Sequence, residues 1–101
     1  MSETQLVKKI LKVLREQGGW WIKTHGGPFQ QSGLPDIIGS LHGKFIGLEV
    51  KKPGKVTSKI QKHVINQIFL KGGGKVAVVT SVQDVLIFLS PIWMNHDERK
   101  V

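Results

Sequence analysis

Residues 33–51 read Gly-Leu-Pro-Asp-Ile-Ile-Gly-Ser-Leu-His-Gly-Lys-Phe-Ile-Gly-Leu-Glu-Val-Lys. Asp36 to Leu41 has the short apolar run of a strand, His42-Gly43 makes a tight turn, and Lys44 to Lys51 forms a second run; together they predict a hairpin. Side chains alternate along a strand, so Ile46, Leu48 and Val50 face one side while Phe45, Gly47, Glu49 and Lys51 face the other. Glu49 and Lys51 then stand about 7 Å apart along one surface. Gly47, lacking a side chain, leaves room beside Glu49. Asp36 opens the neighbouring strand and lies next to the pair.

The pattern extends outward in both directions. Upstream, Ser2 and Gln5 have capping-box spacing for a helix over Glu3 to Gln17, stopped by Gly18-Gly19. Leu6, Val7, Ile10, Leu11, Val13 and Leu14 give that helix one apolar stripe. Trp20 to Thr24 reads as a strand. His25 to Leu34, with Gly26-Gly27-Pro28 and Ser32-Gly33, reads as a loop. Downstream, Lys52 to Val56 is a connection, and Thr57 or Ser58 caps a helix that runs to Lys71 and ends at Gly72 to Gly74. Lys75 to Thr80 is a buried strand, Ser81 to Leu89 a short helix, and Ser90 to Val101 a tail. The order α-β-β-β-α-β-α predicts an α/β fold, a mixed sheet flanked by helices, as a single domain over residues 1–101.

Composition narrows the function. The 101 residues carry fifteen Lys and Arg against seven Asp and Glu, a formal charge of +8. An apolar fraction of 40% supplies a globular core. No apolar run is long enough for a membrane span, and the first residues lack the layout of a secretory signal. The absence of cysteine removes disulfides and thiolate metal sites. A cytoplasmic location is the plain default, the host cytoplasm if the chain is phage-encoded. The positive balance points to a polyanionic partner, nucleic acid above all. Eight lysines lie between Lys44 and Lys75, and Glu49 is the sole acid among them.

Polar residues on apolar faces mark the site. On the first helix Glu3 points the same way as Leu6, Ile10 and Leu14. On the second, Gln61 points into the face made by Ile60, Val64, Ile65, Ile68 and Phe69. Each has a plain alternative: Glu3 favours the helix dipole, Gln61 completes a capping box with Ser58, Glu49 and Lys51 form an exposed ion pair, and Asp36 serves a turn. Their convergence from two helices and a hairpin favours a site. Two carboxylates and a lysine in a wet concavity suit a hard divalent cation and attack on a phosphodiester, which the surrounding lysines (Lys52, Lys55, Lys59 and Lys62) would hold. The four histidines are scattered without metal-ligand spacing, and the Gly72–Gly74 run lacks the Lys-Ser/Thr of a phosphate-binding loop.

Pro35-Asp36, twelve intervening residues and Glu49-Val50-Lys51 resemble the central motif of the PD-(D/E)XK nuclease superfamily. With Glu3 in the first helix, Gly33-Leu34-Pro35-Asp36 and Gln61 after a capped turn, the chain is most similar to the VRR-NUC family (virus-type replication-repair nucleases) over roughly Glu3 to Leu86. The resemblance implies a restriction-endonuclease-like core with the site on its hairpin. It implies Mg²⁺ or Mn²⁺ held by Asp36, Glu49 and the Val50 carbonyl, with Glu3 reaching the ion or its water shell. Lys51 would position or activate the attacking water, and Gln61 would orient a neighbour. The reaction implied is hydrolysis of DNA without a covalent enzyme intermediate. Stand-alone members look similar to Holliday-junction resolvases, which act as homodimers on four-way DNA; Trp20, Trp21, Ile92, Trp93 and Met94, with the tail 90–101, offer an interface. Ser32 lies on the loop where archaeal resolvases carry a functional serine. A flap-, nick- or duplex-directed nuclease and a non-catalytic basic nucleic-acid-binding module are the alternatives.

Overall fold

A computed structural model describes residues 1–28 and 30–94. The elements are α1 (Glu3–Gln17), β1 (Trp20–Lys23), β2 (Ile37–Leu41), β3 (Lys44–Val50), α2 (Lys59–Gly72), β4 (Lys75–Val79) and α3 (Val82–Met94). The α-β-β-β-α-β-α order and the α/β class are those expected from the sequence. The strands lie in the order β1-β2-β3-β4. β1 to β3 form an antiparallel meander. β4 returns parallel to β3 after the α2 crossover. His42 and Gly43, both at positive φ, make the two-residue turn between β2 and β3.

The meander places Thr24, Asp36, Glu49 and Val78 in one row across the sheet, since Thr24 N–H donates to the Asp36 carbonyl at 2.9 Å and Glu49 pairs with Val78. The opposite face carries Ile37, Ile46, Leu48 and Val50, fully buried with Val7, Ile10 and Leu14 of α1 and Val85 and Leu89 of α3. α1 and α3 therefore share one face and its core. α2 lies on the other face, with Ile68 and Phe45 crowding Gly74 and Gln61 bonded to Glu49.

Ser58 is the N-cap of α2, which settles the choice between Thr57 and Ser58. Four expectations need correction. The apolar face of α2 is not a buried one: Val64 alone is buried, while Ile60 and Phe69 stay exposed, and α2 packs chiefly on β4. Gly47 does not leave open space; a Cβ there would meet Pro35 Cγ at 2.9 Å and Val76 Cγ2 at 3.2 Å, so its bareness seats Pro35 before Asp36. α3 does not stop at Leu89 but continues to Met94 through Pro91. Pro91 removes one intrahelical bond, and buried Ile92 with core-packed Trp93 holds the final turn. Trp21 and Ile92 fill the protein's own core, and Trp93 packs on it; of the aromatic and tail residues expected at an interface, Trp20 and Met94 remain exposed. The part of the tail from 95 to 101 lies outside the described residues. No helix among the described residues is long and apolar enough to cross a membrane.

Candidate active site

Three segments that end at the same edge of the sheet build the site. Glu3 enters from the first turn of α1, where its Oε2 accepts the backbone N–H of Lys52 at 3.3 Å. That bond ties the start of α1 to the chain leaving β3. Asp36 stands one residue before β2, and its Oδ2 accepts the Val50 N–H at 2.8 Å. Glu49 sits near the end of β3 and is only 1% exposed. Lys51 Nζ lies 3.4 Å from Glu49 Oε2.

Gln61 joins from the first turn of α2 and serves two masters. Its Oε1 accepts from Ser58 N–H at 2.8 Å while Ser58 Oγ accepts from Gln61 N–H at 3.2 Å, a reciprocal capping box. Its Nε2 donates to Glu49 Oε2. Gln61 therefore completes the capping box and bonds Glu49 at once: a primary amide has an acceptor and a donor, and α2 uses each.

Glu49 retains one unsatisfied atom. Its Oε1 is buried and has no hydrogen-bond partner. A buried carboxylate oxygen without a donor is costly, and the electrostatics register that cost. Burial, and next the nearby Asp36 carboxylate, push the Glu49 carboxyl up to about 7, against the opposing pull of Lys51. Asp36 is also raised, first by burial; the Val50 N–H and Lys51 oppose the rise, and Glu3 adds to it. The mutual influence of Glu3, Asp36, Glu49 and Lys51 shows that the four groups occupy one neighbourhood. Two raised carboxyls beside one lysine form a spot short of positive charge.

Glu3, Asp36, Glu49, Lys51 and Gln61 are thus brought together here. The exposed ion pair allowed for Glu49 and Lys51 is excluded by the burial of Glu49. No three His, Asp or Glu side chains are gathered into a cage for an ion among the described residues. Mg²⁺ does not require one, because it keeps several waters and binds through one or two carboxylates. The partnerless Oε1 and the acid-rich surroundings fit such an ion, with Asp36, Glu49 and the Val50 carbonyl to hold it and Glu3 beside them.

A cleft of about 400 Å³ opens at Glu3 and Asp36, with Lys23 on its lining. Glu3 and Asp36 line one wall; His25, Gln31 and Ser32 of the 25–34 loop line another. Ser32, expected from resemblance, is on that wall. The loop rests on α2, since a Cβ on Gly33 would meet the Ile60 carbonyl at 2.8 Å. Lys52, Lys55, Lys59 and Lys62 are all exposed on the segment from the end of β3 into α2.

Sequence reasoning missed Thr24. Its Oγ1 donates to the carbonyls of Pro35 at 2.8 Å and Asp36 at 3.2 Å, and its N–H to Asp36 at 2.9 Å, closing the neck of the loop. A threonine ending a strand carries no local signal for contacts to residues eleven and twelve positions away. The remaining described acids lie elsewhere. Asp84 accepts from the Thr80 N–H and hydroxyl at the start of α3, which lowers its carboxyl, and Glu16 is exposed on α1. No family model and no curated protein matches the chain.

Proposed function

We propose that the protein is a Mg²⁺- or Mn²⁺-dependent DNA endonuclease that hydrolyses phosphodiester bonds in branched DNA as a homodimer, built on a PD-(D/E)XK-type core. One observation carries the reading: a buried glutamate with a partnerless oxygen lies beside a lysine and beside a second carboxylate that lines a cleft, with exposed lysines on the chain that follows. A bound divalent cation would supply Lewis-acid polarisation of the phosphate and acidify water. Glu49 is held in place by Gln61, and Asp36 by the Val50 N–H. Lys51, 17% exposed and anchored to Glu49, would orient the attacking water and offset charge growing on the phosphoryl oxygens. Glu3, fixed by Lys52, adds negative charge at the rim, and Lys52, Lys55, Lys59 and Lys62 hold the backbone of the substrate.

The dimer follows from the substrate, since paired incisions on a four-way junction require two symmetric sites. Trp20, 62% exposed, and Ile22 and Phe45 on the same sheet face leave apolar surface for a second copy.

The test is incubation of four-way, flapped, nicked and linear DNA with Mg²⁺, alongside a mass measurement. Paired junction incisions are expected. Asp36→Ala and Glu49→Ala abolish them, and Lys51→Ala slows them by about 10²-fold or more, the scale of one lost electrostatic stabiliser. Wild-type rates in Glu49→Ala and Lys51→Ala would refute the site. Preferred cleavage of flaps, nicks or duplex replaces the junction reading, and salt-sensitive binding indifferent to divalent ions marks a non-catalytic module.

A further inference from the structure

The 25–34 loop accounts for one border of the cleft, and Asp36 with Gln61 for a second. The third border is α1, whose solvent side has no role in the site described above. It carries Lys8, Lys9, Lys12 and Arg15, with Glu16 as the one acid beside them. At 100° per residue, Lys8, Lys12 and Arg15 fall within an arc of about 60°. Thr4, one turn before Lys8 on the same line, is on the cleft wall. The ridge therefore starts at the cleft rim and runs away from it for about 16 Å, at 1.5 Å per residue. A single DNA strand sets down roughly five phosphates over that distance at 3.4 Å each.

Two features distinguish the ridge from an ordinary solvated face. None of its cations is ion-paired; the Lys51–Glu49 pair is the one found among the described residues. Arg15 is also fixed in direction, its Nη2 donating to the Trp21 carbonyl at 3.2 Å, with other guanidinium donors to spare. Lys8, Lys12 and Arg15, together with Leu11 and Glu16, border a shallow groove of about 410 Å³.

The second basic track, Lys52 to Lys62, starts from the same point, because Lys52 N–H is bonded to Glu3. It then leads into α2, on the opposite face of the sheet from α1. Two cationic tracks thus diverge from one cleft, one on each side of the sheet. A straight duplex follows one track or the other. A ligand that occupies both must fork at the cleft.

We propose that the α1 ridge of Lys8, Lys12 and Arg15 is a second binding track for DNA backbone, and that the two tracks select branched DNA by taking one duplex arm each. The identity of the ligand rests on the nuclease reading; the ridge itself does not depend on catalysis.

The experiment measures binding of the full chain to a labelled four-way junction and to a linear duplex of one arm, in chelator, across a NaCl series. The variant is Lys8→Gln/Lys12→Gln/Arg15→Gln, which keeps good helix formers on an exposed face. Lys44→Gln/Lys71→Gln/Lys75→Gln, at the end of the sheet away from the cleft, removes the same charge as a control. Expected for the ridge variant is a junction salt slope smaller by about 2.7, with affinity at 0.1 M salt down about tenfold or more. Its duplex affinity falls less than about threefold, because the other track remains, and the control keeps the wild-type junction slope to within about 1. A wild-type junction slope in the ridge variant overturns the proposal, as does equal loss on junction and duplex, or equal loss in the control. If the wild-type protein binds neither DNA, the nuclease reading falls and takes the tracks with it. If it binds as expected and never cleaves, the tracks stand and the catalytic reading falls.

Discussion

Glu49 concentrates the strain of the site in one side chain. Its carboxyl titrates at about 7 when folded and near the ordinary 4.5 when unfolded. Between those values the folded chain holds a proton that the unfolded chain has released. The sign follows: the stabilisation is complete below 4.5 and is lost as pH rises through 7. Metal-free protein is therefore expected to melt at progressively lower temperature across that window, as calorimetry in a pH series would show. Glu49→Gln keeps the shape and polarity while removing the ionisation. It shrinks the decline and raises the melting temperature near pH 8 by about 5 °C or more, at roughly 4–8 °C per kcal/mol for a domain of this size. A decline as steep as wild type in that variant would discredit the role given to Glu49. Asp36, raised in the same direction, leaves a residual slope. Glu49 was legible in the sequence because a period of two exposes any polar residue set on a packed strand face, and Asp36 because it opens the neighbouring strand of the hairpin. The depth of Glu49 was not legible, since it depends on α2 lying over the face and bringing Gln61 onto the carboxylate.

At the scale of the element, the two capping boxes provide a matched comparison. Ser2 with Gln5 and Ser58 with Gln61 make the same reciprocal bonds, but Gln61 alone reaches a buried carboxylate. Gln5→Ala is expected to cost about 1 kcal/mol, a typical capping loss. Gln61→Ala is expected to cost about 1–3 kcal/mol more, because it strips a donor from a buried group. Denaturant melts of both variants at one pH give the difference, and equal losses would show that the Glu49 bond contributes nothing. Gly47→Ala tests the hairpin. Its Cβ would push on Pro35, and overpacking of this kind costs about 1–3 kcal/mol; Asp36, next in the chain, would move with it and metal-dependent cleavage would drop. Element order and nearly all boundaries were readable from periodicity, caps and glycine stops. Two things were not. The last turn of α3 persists past Pro91 through tertiary packing of Ile92 and Trp93, which local rules ignore. The exposed side of α2 depends on which neighbours a helix lacks, and a stripe of apolar residues does not say whether anything covers it.

Over the whole molecule, the +8 balance is a sum of unlike parts. Glu3, Asp36 and Glu49 are gathered at one edge of the sheet, and most of the lysines lie outside it. On the proposed metal site, a cation and a proton on Glu49 would compete for the same oxygens. Divalent ions are therefore expected to stabilise the protein most where Glu49 is ionised. At about 100 times its Kd, Mn²⁺ adds about 2.7 kcal/mol to folding near pH 8. The shift shrinks near pH 5 and disappears in Asp36→Asn/Glu49→Gln; thermal melts with and without Mn²⁺ would show both, and a pH-independent shift would place the ion elsewhere. Thr24 has a consequence of another kind. Its three bonds close the chain into a ring just ahead of Asp36, so the segment from His25 to Leu34 hangs from a fixed neck. Changes in the length or composition of that segment stop at the neck and leave Asp36 where it was. The loop wall of the cleft and the acids beside it are thus separately heritable. A lineage can rewrite one, or an engineer can exchange it as a cassette, while the other is inherited intact.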